Sequence, residues 1–244
     1  MIKAGSQGNV LFIVLIGVAL LAALTMAISD SERYTDTMDA EDIKVQLQEI
    51  YDYAHEIENA ISFVLLHNNC EISQLNFDHP DLLNYNTTNY YLNPNSPTDG
   101  TCDIFGSSGG GVSYQEPPQM SQDQGGYEYG VMSRFPIKAI GSSASDLTLH
   151  TLLPEDACIR LNNTQGVSNP SSEPPVISDF NADIIPYITT RSFPSSAGWS
   201  DEGFSTGVTL GLSSFVPEVE GHKTFCIKED ENGLYHFFYV LLAR

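Results

Sequence analysis

The sequence predicts an α+β fold in which a long N-terminal helix packs on an antiparallel β-sheet. Three observations predict it: an apolar run opens the chain, an apolar stripe with helical spacing follows, and apolar and aromatic residues flank an Asn-Gly pair near the C-terminus. A chain of 244 residues, 41% of them hydrophobic, is large enough to bury a core.

The opening run extends from Val10 to Ile28, with Lys3 before it. A helix of about 20 apolar residues crosses a bilayer, so the run predicts a transmembrane helix. Acidic residues follow it, namely Asp30, Glu32, Asp36, Asp39, Glu41 and Asp42. The positive-inside bias then places the N-terminus in the cytoplasm and the rest of the chain outside. Small residues at Thr25 and Ala27 leave signal-peptide cleavage near Ala27 as an alternative.

A second helical pattern follows the acidic cluster. Its apolar residues recur every three or four positions, which is one face of a helix: Ile43, Leu47, Ile50, Ala54, Ile57, Ile61 and Val64. Because no proline or glycine separates the two patterns, we expect one helix to run from the membrane into the ectodomain, half in each. Asn68 and Asn69 are expected to end it, since asparagine tolerates the left-handed conformation.

The net charge of −21 argues against nucleic acid as a partner, because phosphate binding needs clustered lysine and arginine. The four cysteines are Cys70, Cys102, Cys158 and Cys226, and none forms a CxxC pair. An even number of cysteines with wide spacing predicts two disulfides in an oxidising compartment rather than a zinc site. Of the three possible connectivities we favour Cys70–Cys102 and Cys158–Cys226, because each closes a loop with little else to hold it.

The N-terminus resembles type IV pilins and the pseudopilins of type II secretion. The resemblance rests on a short leader ending in glycine, "MIKAGSQG", followed by the apolar helix "NVLFIVLIGVALLAAL". It implies cleavage between Gly8 and Asn9 by the prepilin peptidase, after which the helix serves as anchor and packs into a filament. Ile13 stands where main-filament pilins carry glutamate, and this departure suggests a minor subunit.

The resemblance also implies a domain organisation and a location. Residues 1–8 are the leader, 9–28 the transmembrane helix, 29–69 its extension, and 70–244 a disulfide-stapled periplasmic head. The protein is then expected in a bacterial inner membrane as a single-pass protein. Assembly into a cell-surface filament is a further expectation. Its expected partners are other pilin-like subunits through the N-terminal helix, the prepilin peptidase and membrane lipid.

The head begins with a long irregular stretch rich in Asn, Gly, Pro, Ser and Tyr. Residues 133–140 and 146–153 then alternate like the two strands of a hairpin. Residues 153–166 predict a short helix, with Pro154 in its first turn and Gly166 just past its end. A strand pair followed by a helix with a cysteine also resembles the outer domain of type IVb pilins.

The chain ends in a predicted hairpin. Asn232 and Gly233 suit a type I′ turn, and residues 228–233, "KEDENG", are expected to form its charged tip. Residues 234–242 are apolar on both faces, so this last strand is expected to be central in the sheet.

No motif predicts an enzyme or a cofactor. Ser205 lies in "GFSTG", which matches a nucleophile pattern, but "VTLGL" follows where a helix is required. A weak cation site at Asp179, Asn181 and Asp183 lacks the glycine and the closing glutamate of a calcium loop. The histidines show no helical i, i+3 or i+4 pair, so His55 and His67 are not expected to bind metal.

A tyrosine cluster offers a surface for carbohydrate or protein: Tyr85, Tyr90 and Tyr91. A loop that folds onto its own domain is the simpler interpretation. The sequence thus predicts a structural, non-enzymatic subunit. The alternative is an anchored or secreted extracytoplasmic binding domain that does not polymerise.

Overall fold

A computed structural model describes residues 14–18, 40–82, 92–133, 135–177, 209–212 and 215–244. The chain divides into two compact units, Met1–Asp42 and Ile43–Arg244. In the first unit, residues 14–18 are helical and their apolar side chains are exposed. The second unit contains the sheet and its covering elements.

The sheet has five strands, β1 (Gly130–Ser133), β2 (Leu147–Leu153), β3 (Val176–Ile177), β4 (Thr224–Glu229) and β5 (Tyr235–Leu242). Their spatial order is β1-β2-β5-β4-β3. All pairings are antiparallel except that between β3 and β4, which is parallel. The sheet is therefore mixed, and the expectation of a purely antiparallel sheet was wrong.

The central strand is β5, as its two-sided apolar pattern predicted. Residues directly opposite each other on neighbouring strands share a face. Cys226 lies opposite Phe237, and Phe225 lies opposite Phe238. We call the side of Cys226, Phe237 and Tyr239 the helix face, and the side of Phe225 and Phe238 the far face.

Helix α1 (Ala40–Leu66) covers part of the helix face. Tyr51 makes edge contacts with Phe237 and Tyr239, at centroid distances of 6.3 and 6.4 Å. Every member of the predicted apolar stripe from Ile43 to Val64 is buried. The helix ends at Leu66, and Asn69 adopts the predicted left-handed conformation with φ of 55°.

The predicted long helix with a transmembrane half was nevertheless wrong. The described helix spans Ala40–Leu66, and in the described part of the chain no helix has both the length and the apolar character that crossing a bilayer requires. This finding overturns the single-pass inner-membrane location. The expectation rested on a stretch without proline or glycine, and lack of a helix breaker supplies no energy that forms a helix.

Among the described residues, the far face is covered by irregular segments and a short 3₁₀ helix, Pro217–Val219. Buried side chains from these segments pack against the strands in one cluster, which contains Phe135, Ile137, Val167, Ile177, Leu210, Val216, Val219, Phe225, Ile227, Phe238 and Val240. Phe238 contacts Phe135 and Phe225 at centroid distances of 5.5 and 5.4 Å. The sheet is therefore buried on both sides.

The hairpin that contains β2 differs from its prediction. Its first strand is Gly130–Ser133, and the residues that follow leave the sheet. Pro136 has no N–H to give a ladder, and Ala139 and Gly141 adopt positive φ angles of 65° and 58°. Of the alternating residues, Phe135 and Ile137 pack in the far-face cluster, and Ile137 forms an isolated parallel bridge with Leu210.

The C-terminal hairpin is present, but its type I′ turn is not. The Glu229 N–H donates to the Leu234 carbonyl, and the Gly233 N–H donates to the Glu229 carbonyl, so residues 230–234 form a wider loop. Gly233 has φ of 68°, whereas Asn232 is not left-handed as a type I′ turn requires. The Asn232 amide instead donates to Glu229 Oε1 at 2.8 Å.

Both disulfides form in the favoured pairing, Cys70–Cys102 and Cys158–Cys226. Two short helices accompany the sheet, α2 (Gln119–Gln122) and α3 (Glu155–Gln165). The latter follows Pro154 and ends at Gly166, whose φ of 76° is that of a left-handed cap, as predicted. Cys158 on α3 joins Cys226 on β4, so α3 lies on the helix face.

Asn162 adds a second link between α3 and β4. Its side-chain oxygen accepts the Cys226 N–H and its amide donates to the Cys226 carbonyl, both at 2.9 Å. The residue is fully buried.

The stretch from Cys70 to Pro118 is irregular in its described part, as expected, but it is tightly held. Asn93 is buried and donates to the carbonyls of Ser73 and Leu75. Gly109 lies so close to the backbone that an added Cβ would be 2.1 Å from the Asp103 carbonyl oxygen. Close backbone packing and the Cys70–Cys102 bridge take the place of regular structure.

Replacement of Ile57 tests the packing of α1. Because Ile57 is fully buried, Ile57→Ala should lower the free energy of unfolding by about 2–5 kcal/mol. The control is Val45→Ala on the exposed side of the same helix, which should change it by less than about 0.5 kcal/mol. Urea denaturation followed by circular dichroism measures both, and equal effects would contradict the described packing.

Removal of the Cys158–Cys226 bridge should also destabilise the fold. The double variant Cys158→Ala and Cys226→Ala should lose about 2–5 kcal/mol, because the bridge closes a long loop in the unfolded chain. Urea denaturation under oxidising conditions gives the value. A reduced wild-type sample is the control, and a variant as stable as oxidised wild type would count against the bridge.

Candidate functional site

A row of ionisable side chains crosses the far face of the sheet. His150 Nε2 lies 2.9 Å from His236 Nδ1, and His236 Nε2 lies 3.3 Å from Glu229 Oε2. Exposure is 4% for His150, 2% for His236 and 0% for Glu229. We call these three residues the buried array.

Strand register brings the array together. On β5, His236 lies opposite Leu152 of β2 and opposite Ile227 of β4. His150 and Glu229 are each two residues from those partners, so both share the face of His236 and lie diagonal to it. Diagonal neighbours on one face are within reach of long side chains, and here they bond in a row across three strands.

The array has a defined hydrogen-bond direction. Glu229 accepts the Asn232 amide at Oε1 and the ring N–H of His236 at Oε2. His236 Nδ1 is then the acceptor of its ring, so the Nε2–H of His150 donates to it. Two neutral rings beside a carboxylate satisfy these bonds.

Burial sets the protonation of both rings. Removal from water disfavours the charged form, and it holds the pKa of His150 well below its ordinary value of 6.5, helped by the neighbouring His236. Burial also lowers the pKa of His236, and the hydrogen bond and charge of Glu229 oppose this shift only in part. The array therefore contains two neutral imidazoles at neutral pH.

The geometry of the buried array suits neither metal binding nor hydrolysis. The facing nitrogens of the two rings are already bonded to each other, and no described set of three His, Cys, Asp or Glu side chains could hold a metal ion. A substrate has almost no access to side chains exposed by 4% or less. The array is a row of hydrogen-bonded side chains that is enclosed in the core.

A second polar cluster joins α1 to the sheet. Glu58 accepts from Lys223 Nζ at its Oε1 and from the Tyr239 hydroxyl at its Oε2, both at 2.6 Å. The Lys223 ammonium also lies 4.8 Å from the centroid of the Tyr239 ring, and His55 Nδ1 is 3.1 Å from the Tyr239 hydroxyl. Charge and hydrogen bonds thus fix the helix against β4 and β5.

The charge state of Glu58 follows from these contacts. Partial burial alone would raise the pKa of its carboxyl, but hydrogen bonds from Lys223 and Tyr239 and the charge of Lys223 outweigh it and lower the pKa. A carboxylate with a lowered pKa adds stability above its ordinary pKa, and this stability is lost as the pH falls through the folded-state pKa. The Glu58 cluster therefore contributes its stability at neutral pH, where Glu58 is a carboxylate.

Several predicted site residues lie outside the described residues. These are Gly8, Asn9 and Ile13 of the leader region, Asp179, Asn181 and Asp183 of the weak cation site, Ser205 of the serine motif, and Tyr85, Tyr90 and Tyr91 of the aromatic cluster. The four cysteines form the two bridges already described. His55 and His67 are exposed, and His67 stacks on Phe63 at 4.9 Å.

The buried array was not predicted from the sequence. The histidines show no helical spacing, and Glu229 lies in a charged stretch that suggests a hairpin tip, whereas Glu229 is fully buried. A signal was present, because His150 and His236 each interrupt an otherwise apolar strand, "LTLHTLL" and "YHFFYVLL". A histidine within a two-sided apolar strand needs a buried partner.

Comparison of the chain with protein-family models, curated proteins and solved structures finds no match.

The Glu58 cluster generates a prediction about pH. A double-mutant cycle with Glu58→Gln and Lys223→Met should give a coupling free energy of about 0.2–1 kcal/mol at neutral pH, because the pair is only partly exposed. The coupling should decrease as the pH falls below 4.5, the ordinary pKa of the carboxyl. Urea denaturation of the four proteins across this range measures it.

The Lys138–Glu220 pair provides the matched control, since both side chains are 44% exposed. Its coupling should be smaller than that of Glu58 with Lys223. A Glu58 coupling that did not change with pH would contradict the assigned charge state.

Proposed function

We propose that this chain is a structural, non-enzymatic subunit of a type IV filament or secretion apparatus, of the minor kind. Its apolar segment would contact other pilin-like subunits after cleavage behind Gly8. The observation that carries the proposal is the leader "MIKAGSQG" joined to an apolar segment whose described part, residues 14–18, is helical.

The exposure of that segment supports association with other chains. Val14, Leu15 and Val18 are exposed by 59%, 63% and 62%, and Ile16 by 43%. A helical turn with four exposed aliphatic side chains gains free energy when a partner covers it, by about 25 cal/mol for each Å² of apolar area. Neighbouring subunits that carry the same apolar segment would cover these side chains with apolar side chains of their own.

The head supports a structural role in a different way. Two disulfides are typical of proteins that fold in an oxidising compartment. The ionisable groups of the buried array are enclosed rather than displayed in a cleft, which is unlike a catalytic site. We therefore assign the head to display or assembly rather than to chemistry.

Processing of the leader tests the proposal directly. Mass spectrometry of the mature protein should find an N-terminus at Asn9. Gly8→Val should abolish cleavage by the prepilin peptidase, since a bulky residue would replace the glycine at the processing site. Gly5→Val, three residues earlier in the same leader, is the matched control and should be cleaved normally.

Other termini would contradict the proposal. A chain that retains Met1, or one that begins after Ala27, would exclude prepilin processing. The remaining hypothesis would then be a separate extracytoplasmic binding domain that does not polymerise.

A further inference from the structure

The response of the buried array to acid depends on how many hydrogens lie between its two rings. The neutral array has one hydrogen between His150 Nε2 and His236 Nδ1, which are 2.9 Å apart. If His236 takes up a proton, His150 must change tautomer so that its Nε2 accepts. If both rings are charged, two N–H groups point at each other and the bond cannot persist. The second proton is therefore the one that breaks the row.

Few charges are available to compensate that proton. Glu229 is the carboxylate bonded to the array, and it already faces His236. The strand residues opposite the array carry no charge: Gly130 on β1 lies opposite His150, and Ile177 on β3 lies opposite Glu229. Lys228 on β4 is ion-paired with Glu173.

Other charged groups lie on segments next to the array or on the far-face cover. Asp146 accepts the N–H groups of Ile137 and Arg244, and Lys138 is ion-paired with Glu220. Glu128, two residues before Gly130, has a buried Oε2. The remaining described acidic groups of these segments are Glu218, Asp230 and Glu231. His150 bonds to His236, so a charge on His150 would be compensated by Glu229 across His236.

The array is continuous with the far-face cluster. The His150 ring lies 5.0 Å from that of Phe238, which in turn contacts Phe135 and Phe225. A charged ring at this place must reach water, and it can do so only by displacing the side chains that cover it. The helix face is held differently, because the Cys158–Cys226 bridge fixes α3 to β4.

We propose that the buried array is an acid-sensitive latch for the far face. At neutral pH the His150–His236–Glu229 row keeps the irregular cover packed on the sheet. When both histidines are protonated, the cover separates from the far face while the helix face stays folded.

The sign of the pH dependence follows from burial. Both histidines have a pKa below 6.5 in the folded protein, so the unfolded or opened form binds more protons below that pH. The closed state is favoured above about pH 6.5 and loses this advantage as the pH falls towards the folded-state values. Within this pH range, each unit of pH changes the opening equilibrium by up to about tenfold for each extra proton that the open form binds.

Hydrogen–deuterium exchange of the full chain tests the latch. Between about pH 7.5 and pH 5, and after correction for the intrinsic effect of pH, exchange in residues 135–140, 209–212 and 215–221 should rise about tenfold or more. Amides of α1 and α3 should stay protected. In His150→Gln, which keeps a donor towards His236 but cannot be charged, the rise should be less than about twofold.

The matched control is His67→Gln, because His67 is exposed just after the end of α1 and should leave the acid response unchanged. Three results would overturn the proposal: no opening at low pH, simultaneous loss of protection in α1 and α3, or the same opening in His150→Gln. Should that variant fail to fold, NMR titration of the wild-type imidazoles decides. The latch requires the protonation of His150 to coincide with far-face opening, and protonation without opening would also overturn it.

Discussion

Burial of β5 on both faces is the constraint on which the rest of the structure depends. Phe237 and Tyr239 point towards the helices, and Phe238 and Val240 point into the far-face cluster. A strand of this kind needs two separate covers, because exposed aromatic area on either side would be costly in water. The helix face is covered by α1 and α3, and the far face is covered by loops. The differences between the two faces follow from this unequal cover.

Features set by local spacing were predictable from the sequence. The stripe from Ile43 to Val64 fixes which side of α1 is buried, and Pro154 and Gly166 fix the limits of α3. The central place of β5 followed from its uninterrupted apolar pattern. Features that depend on distant partners were not predictable in the same way. Phe135 and Ile137 pack into a cluster with Leu210 and Val219, which no local pattern reveals.

The candidate site illustrates the same limit. His150 and His236 are far apart in sequence, and their contact depends on the register in which β2 pairs with β5. A one-residue shift of that register would move one ring to the opposite face. Glu229 was misjudged because its neighbours Asp230 and Glu231 suggest a solvated turn, whereas the wider loop directs Glu229 inward. The composition of a segment does not show in which direction each of its side chains points.

The side chain of Asn162 has a consequence for association between copies of the chain. Cys226 directs its N–H and carbonyl away from β5, on the side where β3 pairs with β4 only through Lys228 and Glu229. The Asn162 amide supplies one donor and one acceptor there, as a residue of a neighbouring strand would. It therefore blunts an edge that could otherwise template unwanted strand addition. A single buried amide thus opposes aggregation through this edge of the sheet.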